Sequence, residues 1–148
     1  MKIVVDTNVV FSTILSSDSS IGDLLLNSDP TFQFYTCHLL IEELERHKSK
    51  IFAIKDLSET EFEIIKNEVF RHLNFVSEEI IPFEFWSISV PLLREVDMDD
   101  IAFVALSQFL QTTLWTGDKR LISGLRSKGF VSVITTTELY QLRQEIEH

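Results

Sequence analysis

Acidic residues recur where the apolar runs of this chain break off. In KIVVDTN, Ile3, Val4 and Val5 end in Asp6; in TTLWTGD, Leu114 and Trp115 lead through Thr116 and Gly117 to Asp118. Two more candidates stand in helix-like stretches, a glutamate of IEELERHK and an aspartate of VDMDDIAFVALS. Burying an unpaired carboxylate is costly, so an acid at the end of a buried strand caps a helix, pairs with a cation or does chemistry. Carboxylates gathered at one edge repel unless they share protons or bind a cation. Hard oxygen donors select Mg²⁺ or Mn²⁺. Such an ion activates water, clamps a phosphoryl oxygen and stabilises a leaving oxygen. Each acid taken alone has a plainer reading: Asp6 and Asp118 as helix N-caps, Glu43 as a solvated helix residue, Asp99 and Asp100 as first-turn residues facing a helix dipole. The case for chemistry rests on their joint occurrence.

The elements that must position these acids are legible as alternating strands and helices. KIVVD, FQFYTC at 32–37, TTLWTG at 112–117 and VSVIT at 131–135 read as short strands. Ser58-Glu59-Thr60-Glu61 has the form of a capping box, and Phe62, Ile65, Val69 and Leu73 follow at helical spacing. Thr135 to Glu138 opens a last helix in the same way, with Leu139, Leu142 and Ile146 as its stripe. Ser19 and Ser20 cap a helix carrying Leu24, Leu25 and Leu26; an apolar helix follows Asp99 and Asp100 through Leu110. Pro91 predicts a break in the stretch 83–96. This alternation predicts right-handed crossovers and a three-layer α/β/α fold with a mostly parallel central sheet. Ligands in such folds bind at the carboxyl ends of the strands, where Asp6 and Asp118 fall.

The absence of repeats, low-complexity stretches and linkers predicts one domain over 1–148. Thirteen basic residues face 23 acidic ones, a formal charge of −10. That balance argues against a protein gripping nucleic acid by general electrostatics, but not against a metal-dependent nuclease, whose acidic site looks more negative without its ions. Cys37 has no disulfide partner and reads as a buried hydrophobe in a reducing compartment. With no signal-like N-terminus and no apolar run of membrane-spanning length, the expectation is a cytoplasmic protein without a membrane partner.

VVDTNVVFS, LLIEELERH and DMDDIAFVALSQFLQTTLWTGDKRLI, in this order, resemble the PIN-domain family from Lys2 to about Thr137. The resemblance is to the ribonuclease toxins of type II toxin–antitoxin modules, the VapC kind. It implies a PIN-like fold and a metal-dependent endoribonuclease in which Asp6, Glu43, Asp100 and Asp118 bind Mg²⁺ or Mn²⁺, with Asn8 and Thr116 as polar support. Glu43 is preferred over Glu42 because Leu44 follows it. Asp100 is preferred over Asp99 and Asp97 from the spacing to Phe103, Val104 and Ser107, with Asp99 as the competitor. The implied partners are an RNA substrate, a second copy of the chain and an antitoxin protein.

On this reading Asp6, Asp100 and Asp118 hold the ion, Glu43 ligates it or orients water, and no histidine is required; His38, His47 and His72 read as helix-surface residues. Arg46, Lys48, Lys50, Lys119 and Arg120 could guide a phosphate backbone. Trp86 is a candidate to stack on bases, while Trp115 reads as core. The segment 75–96 matches no motif and reads as an insertion or a dimer surface. Two rivals stand beside the nuclease. One is a phosphatase with Asp6 as nucleophile, disfavoured because Asn8 replaces the second acid of an Asp-x-Asp motif. The other is a catalytically inactive PIN-like metal-binding or protein-interaction module.

Overall fold

A computed structural model describes residues 1–148. Five strands form one all-parallel sheet: β1 (Lys2–Val5), β2 (Gln33–Cys37), β3 (Leu73–Val76), β4 (Thr113–Trp115) and β5 (Val133–Ile134), in the order β3-β2-β1-β4-β5. Ile3, Val4 and Val5 of the central strand are fully buried, as expected of a parallel strand covered on both faces. Helices α1 (Thr7–Leu15), α2 (Ser20–Leu26), α3 (Leu39–Ile54) and α4 (Glu59–Phe70) form one layer, with α1 against the other three. In the opposite layer α6 (Ile101–Phe109) lies over β1, β2 and β4, flanked by α5 (Phe83–Leu93); α5 in turn meets α7 (Lys119–Ser127). The last helix, α8 (Thr136–Glu147), returns to pack on α2. The expected three-layer α/β/α fold is present.

Topology places the site. From β1 the chain moves outward to β2 and β3, then crosses back to lay β4 on the other side of β1. The sheet therefore has its switch point between β1 and β4, where the loops at the carboxyl ends diverge and leave a crevice. Val5 is in register with Trp115, so Asp6 and Thr116 leave the sheet side by side. The Thr36 hydroxyl donates to the Val5 carbonyl (2.9 Å), tying β2 to the end of β1 one residue before Asp6.

Local signals account for most helix starts. Ser19, Ser58 and Thr135 cap their helices, and the last two complete reciprocal capping boxes with Glu61 and Glu138. Four expectations need correction. Strand β3 falls where the helical period was extended to Leu73: α4 ends at Phe70, and Leu73 instead pairs with Phe34 at the sheet edge. The Asn74 side-chain amide reinforces that edge by donating to the Phe34 carbonyl (2.9 Å). Helix α5 runs through Pro91 to Leu93. Packing on α6 holds it, with Ser89 Oγ donating to the Phe85 carbonyl and accepting from Gln108 Nε2, both at 2.6 Å. Ile146 is exposed; the buried face of α8 carries Arg143, whose charge is met by Asp23 (2.6 Å) and Ser28 (3.1 Å). His72 stands in the turn before β3 rather than on a helix.

The buried core is a single cluster of 31 residues that includes Trp115 and Cys37. No single helix is long and apolar enough to cross a membrane. Because α4 starts on the Ser58–Glu61 capping box, Ser58→Ala should cost about 1 kcal/mol of stability. Urea unfolding is expected to show this as a lower midpoint at unchanged m.

Candidate active site

Asp6 follows β1 and sits at the N-cap of α1 with extended backbone (φ −94°, ψ 176°). One carboxylate oxygen, Oδ1, accepts from the Val9 N–H (3.3 Å). The other, Oδ2, is buried and has no hydrogen-bond partner. The residue is only 2% exposed. Burial pushes its pKa up to about 7; the nearby Thr116 hydroxyl and the Val9 N–H oppose the rise, and the Asp118 charge adds to it. Capping and an additional role are thus both open to one side chain, because the cap uses a single oxygen.

Asp118 repeats the pattern on the next strand. Its Oδ1 accepts from the Arg120 and Leu121 N–H groups (3.0 and 3.1 Å), capping α7, while its own N–H donates to Thr116 Oγ1 (3.1 Å). The fully buried Thr116 therefore fixes the backbone of one acid and stands beside the other.

Asp100 occupies the N-cap position of α6 but makes no side-chain cap. The short 3₁₀ turn before it is capped by Asp97, whose Oδ1 accepts from the Asp99 N–H (2.9 Å). That leaves the half-buried Asp100 carboxyl uncommitted. Burial raises its pKa to about 7, with Asp6, Asp97, Asp118 and Glu43 adding to the shift in that order. Asp99 is exposed, and its charge acts on Glu43. Glu43 is half-buried on α3 while Glu42 is exposed. Burial raises the Glu43 pKa; the Thr7 hydroxyl and then Arg46 pull it down, and Asp99 and Asp97 push it up. Thr7 Oγ1 is itself buried and completes no well-formed hydrogen bond.

Asp6, Glu43, Asp100 and Asp118 thus share one electrostatic field, although no three acidic, histidine or cysteine side chains stand in a ready-made ligand cage. Like charges repel, so carboxyls by themselves settle apart. Other candidates separate more sharply. Asn8 is exposed beside Thr7 and Glu43. Lys48 is engaged by Glu45 (2.6 Å) and Glu59 (3.6 Å). Trp115 is fully buried and donates to Thr136 Oγ1 (3.1 Å), so it has no face for a base. Trp86 is half-buried and donates to the Ile81 carbonyl (3.3 Å). The sequence does not single out Thr7, offers Asp97 only as an alternative to Asp100, and presents His47 as a helix-surface residue, although His47 shares a groove with Glu43. For His47 the signal was present: it lies one helical turn beyond Glu43.

A five-stranded parallel sheet covered by helices on both faces, with acids near its switch point, defines a three-layer α/β protein. The PIN domain family profile matches residues 4–145, and the chain belongs to that family, whose members are in many cases nucleases. Among solved structures it is similar to a chain of VapBC2 from Rickettsia felis, crystallised bound to a DNA fragment from the promoter of that pair. The match has a TM-score of 0.65 and 14% identity, covering 91% of this chain and 97% of that one. No curated protein matches the sequence.

Burying carboxyls with raised pKa couples stability to pH. Between the unfolded value of 3.8 and about 7 the folded state holds more protons than the unfolded one, so stability falls as pH rises through this window. In EDTA the melting temperature is expected to drop from pH 5.5 to pH 8, with Asp6 alone contributing about 2 kcal/mol over that range. Asp6→Asn keeps the cap oxygen and removes the buried charge, so it should flatten this slope and raise the melting temperature at pH 8. A wild-type melting temperature that climbs with pH over this range would contradict the assignment.

Proposed function

We propose that this chain acts as a single PIN domain over residues 1–148 and is a divalent-metal-dependent endoribonuclease hydrolysing RNA phosphodiester bonds. The observation that carries the reading is the buried Asp6 Oδ2, an orphaned acceptor that fits an oxygen-seeking cation. Asp6, Asp100 and Asp118 would hold Mg²⁺ or Mn²⁺, and Glu43 would ligate it or orient the attacking water. The ion supplies Lewis acidity and a water of lowered pKa. The chain's own contribution is positional. Asp6 and Asp118 each fix one oxygen by capping, leaving the other free to turn to the crevice. Thr116 holds the Asp118 backbone, and Asn8 and Thr7 bring polar groups to Glu43. The raised pKa of Asp6 and Asp100 is the electrostatic stress that a bound cation relieves.

The likeness to VapBC2 supports a further part of the proposal, that the chain is the toxin of a toxin–antitoxin pair with an antitoxin protein as partner, working in the cytoplasm. A homodimer belongs to the same proposal, and sedimentation at micromolar concentration reads it directly. One observation favours the inactive-module alternative: the acids form no ready-made cage.

Cleavage separates the two readings. Purified protein is expected to cut single-stranded RNA in Mg²⁺ or Mn²⁺ and to stop in EDTA. Asp6→Asn and Asp100→Asn, both folded, should each lower the rate about 10²-fold or more. Asp99→Asn should have a far smaller effect. Metal binding by calorimetry without cleavage of any RNA would select the module instead.

A further inference from the structure

Beside the carboxylates, α1 and α3 enclose a groove of about 260 Å³ lined by Thr7, Asn8, Phe11, Glu43, His47 and Lys50. Glu43, His47 and Lys50 are spaced i, i+4 and i+7, so α3 presents them along one face. The groove begins at Glu43 and Thr7, the two residues that also border the acidic cluster, and runs away from it along α3.

Its chemistry differs from that of the cluster. Phe11 supplies an aromatic wall, His47 a second planar ring, and Thr7 Oγ1 a buried hydroxyl without a completed hydrogen bond. Lys50 makes no ion pair, although the chain carries 23 acids for 13 bases. Its neighbour Lys48, by contrast, is taken up by Glu45 and Glu59. Lys66, Arg71, Arg126 and Arg143 are likewise paired, whereas Lys2, Arg46, Lys55, Arg94 and Lys128 also form no ion pair. On the far side of the crevice Lys119 and Arg120, just beyond Asp118, are also exposed and without an acid partner. Unpaired cations therefore flank the acids on both sides.

We propose that the α1–α3 groove is a nucleotide subsite for single-stranded RNA, in which Lys50 neutralises a backbone phosphate and Phe11 and His47 flank a base. The inference rests on the nuclease reading for its substrate class. A phosphate on Lys50 would pair the one lysine or arginine that lines this groove. Two aromatic rings lining one groove suit an unstacked base, which single strands offer and duplexes do not. The strand then crosses the carboxylates toward Lys119 and Arg120.

The test is fluorescence anisotropy of end-labelled single-stranded RNA over a salt series, with wild type in EDTA and with the Asp6→Asn chain in Mg²⁺. Lys50→Ala is expected to reduce the slope of log K against log salt by about 0.7, the value for one phosphate contact on a single strand. His47→Ala should weaken binding several-fold with the slope unchanged, and Lys48→Ala should change neither. Equal slopes for Lys50→Ala and Lys48→Ala, or no RNA binding in either condition, would overturn the subsite. So would tighter binding of duplex than of single strand. Cleavage measured in parallel keeps the two claims apart. Metal-dependent cleavage insensitive to Lys50 and His47 removes the subsite alone, whereas Lys50-dependent binding without cleavage removes the nuclease alone.

Discussion

The carboxyl edge of the sheet is organised around one buried carboxyl group, that of Asp6, at the end of the central strand. A carboxylate in such a position is stabilised only by what reaches it, and the fold delivers little: the Val9 N–H at 3.3 Å, the neighbouring Thr116 hydroxyl and, more weakly, the Asn8 N–H. One oxygen is left with no protein partner. A core that merely needed a helix cap here had cheaper choices, since Ser19, Ser58 and Thr135 cap three other helices with a hydroxyl. An aspartate adds a second oxygen and a charge, and both are liabilities unless something of opposite sign is to be held.

Capping and electrostatics work together in the loops around it. Asp6 and Asp118 each commit one oxygen to a helix N-terminus, which orients the carboxyl plane and fixes where the second oxygen can point. Asp97 closes the turn before α6, so Asp100 is relieved of the cap its position would otherwise impose. The register of Val5 with Trp115 sets Asp6 beside Thr116, and the crossover from β3 to β4 brings Asp100 over the same crevice. Three acids from distant parts of the sequence thereby converge through backbone geometry that the sheet topology dictates.

That convergence explains what was legible in the sequence. Buried parallel strands are continuous apolar runs, so KIVV and TLW announce themselves and the acids that end them. Capping boxes are local and were read at Ser58 and Thr135 without knowledge of the fold. Asp100 stood out from Asp99 by its spacing to Phe103, Val104 and Ser107, residues that are buried in α6. What was hidden depends on tertiary partners. Leu73 keeps the helical period of α4, and only its pairing with Phe34 reveals a strand. Arg143 reads as surface until Asp23, 120 positions earlier, is brought against it. Thr7 has no distinguishing local pattern; its place beside Glu43 and His47 follows from α1 lying against α3.

The acidic balance of the chain reads differently once the pairing of its charges is known. A net charge of −10 repels a polyanion at long range, but screening limits that repulsion to roughly 10 Å at ordinary ionic strength. Inside that distance the local arrangement decides. Much of the excess acid lies on helix surfaces, where glutamates such as Glu45, Glu63 and Glu68 neutralise nearby lysines and arginines. Around the crevice the pattern differs: burial raises the pKa of Asp6, Glu43 and Asp100, and the nearby cations Lys50, Lys119 and Arg120 form no ion pair. A divalent ion among the carboxylates would cancel their field and leave those cations as the dominant local charge. The same surface would then accept a nucleic-acid strand more readily, so that affinity for the strand would rise with the ion that would also supply the chemistry.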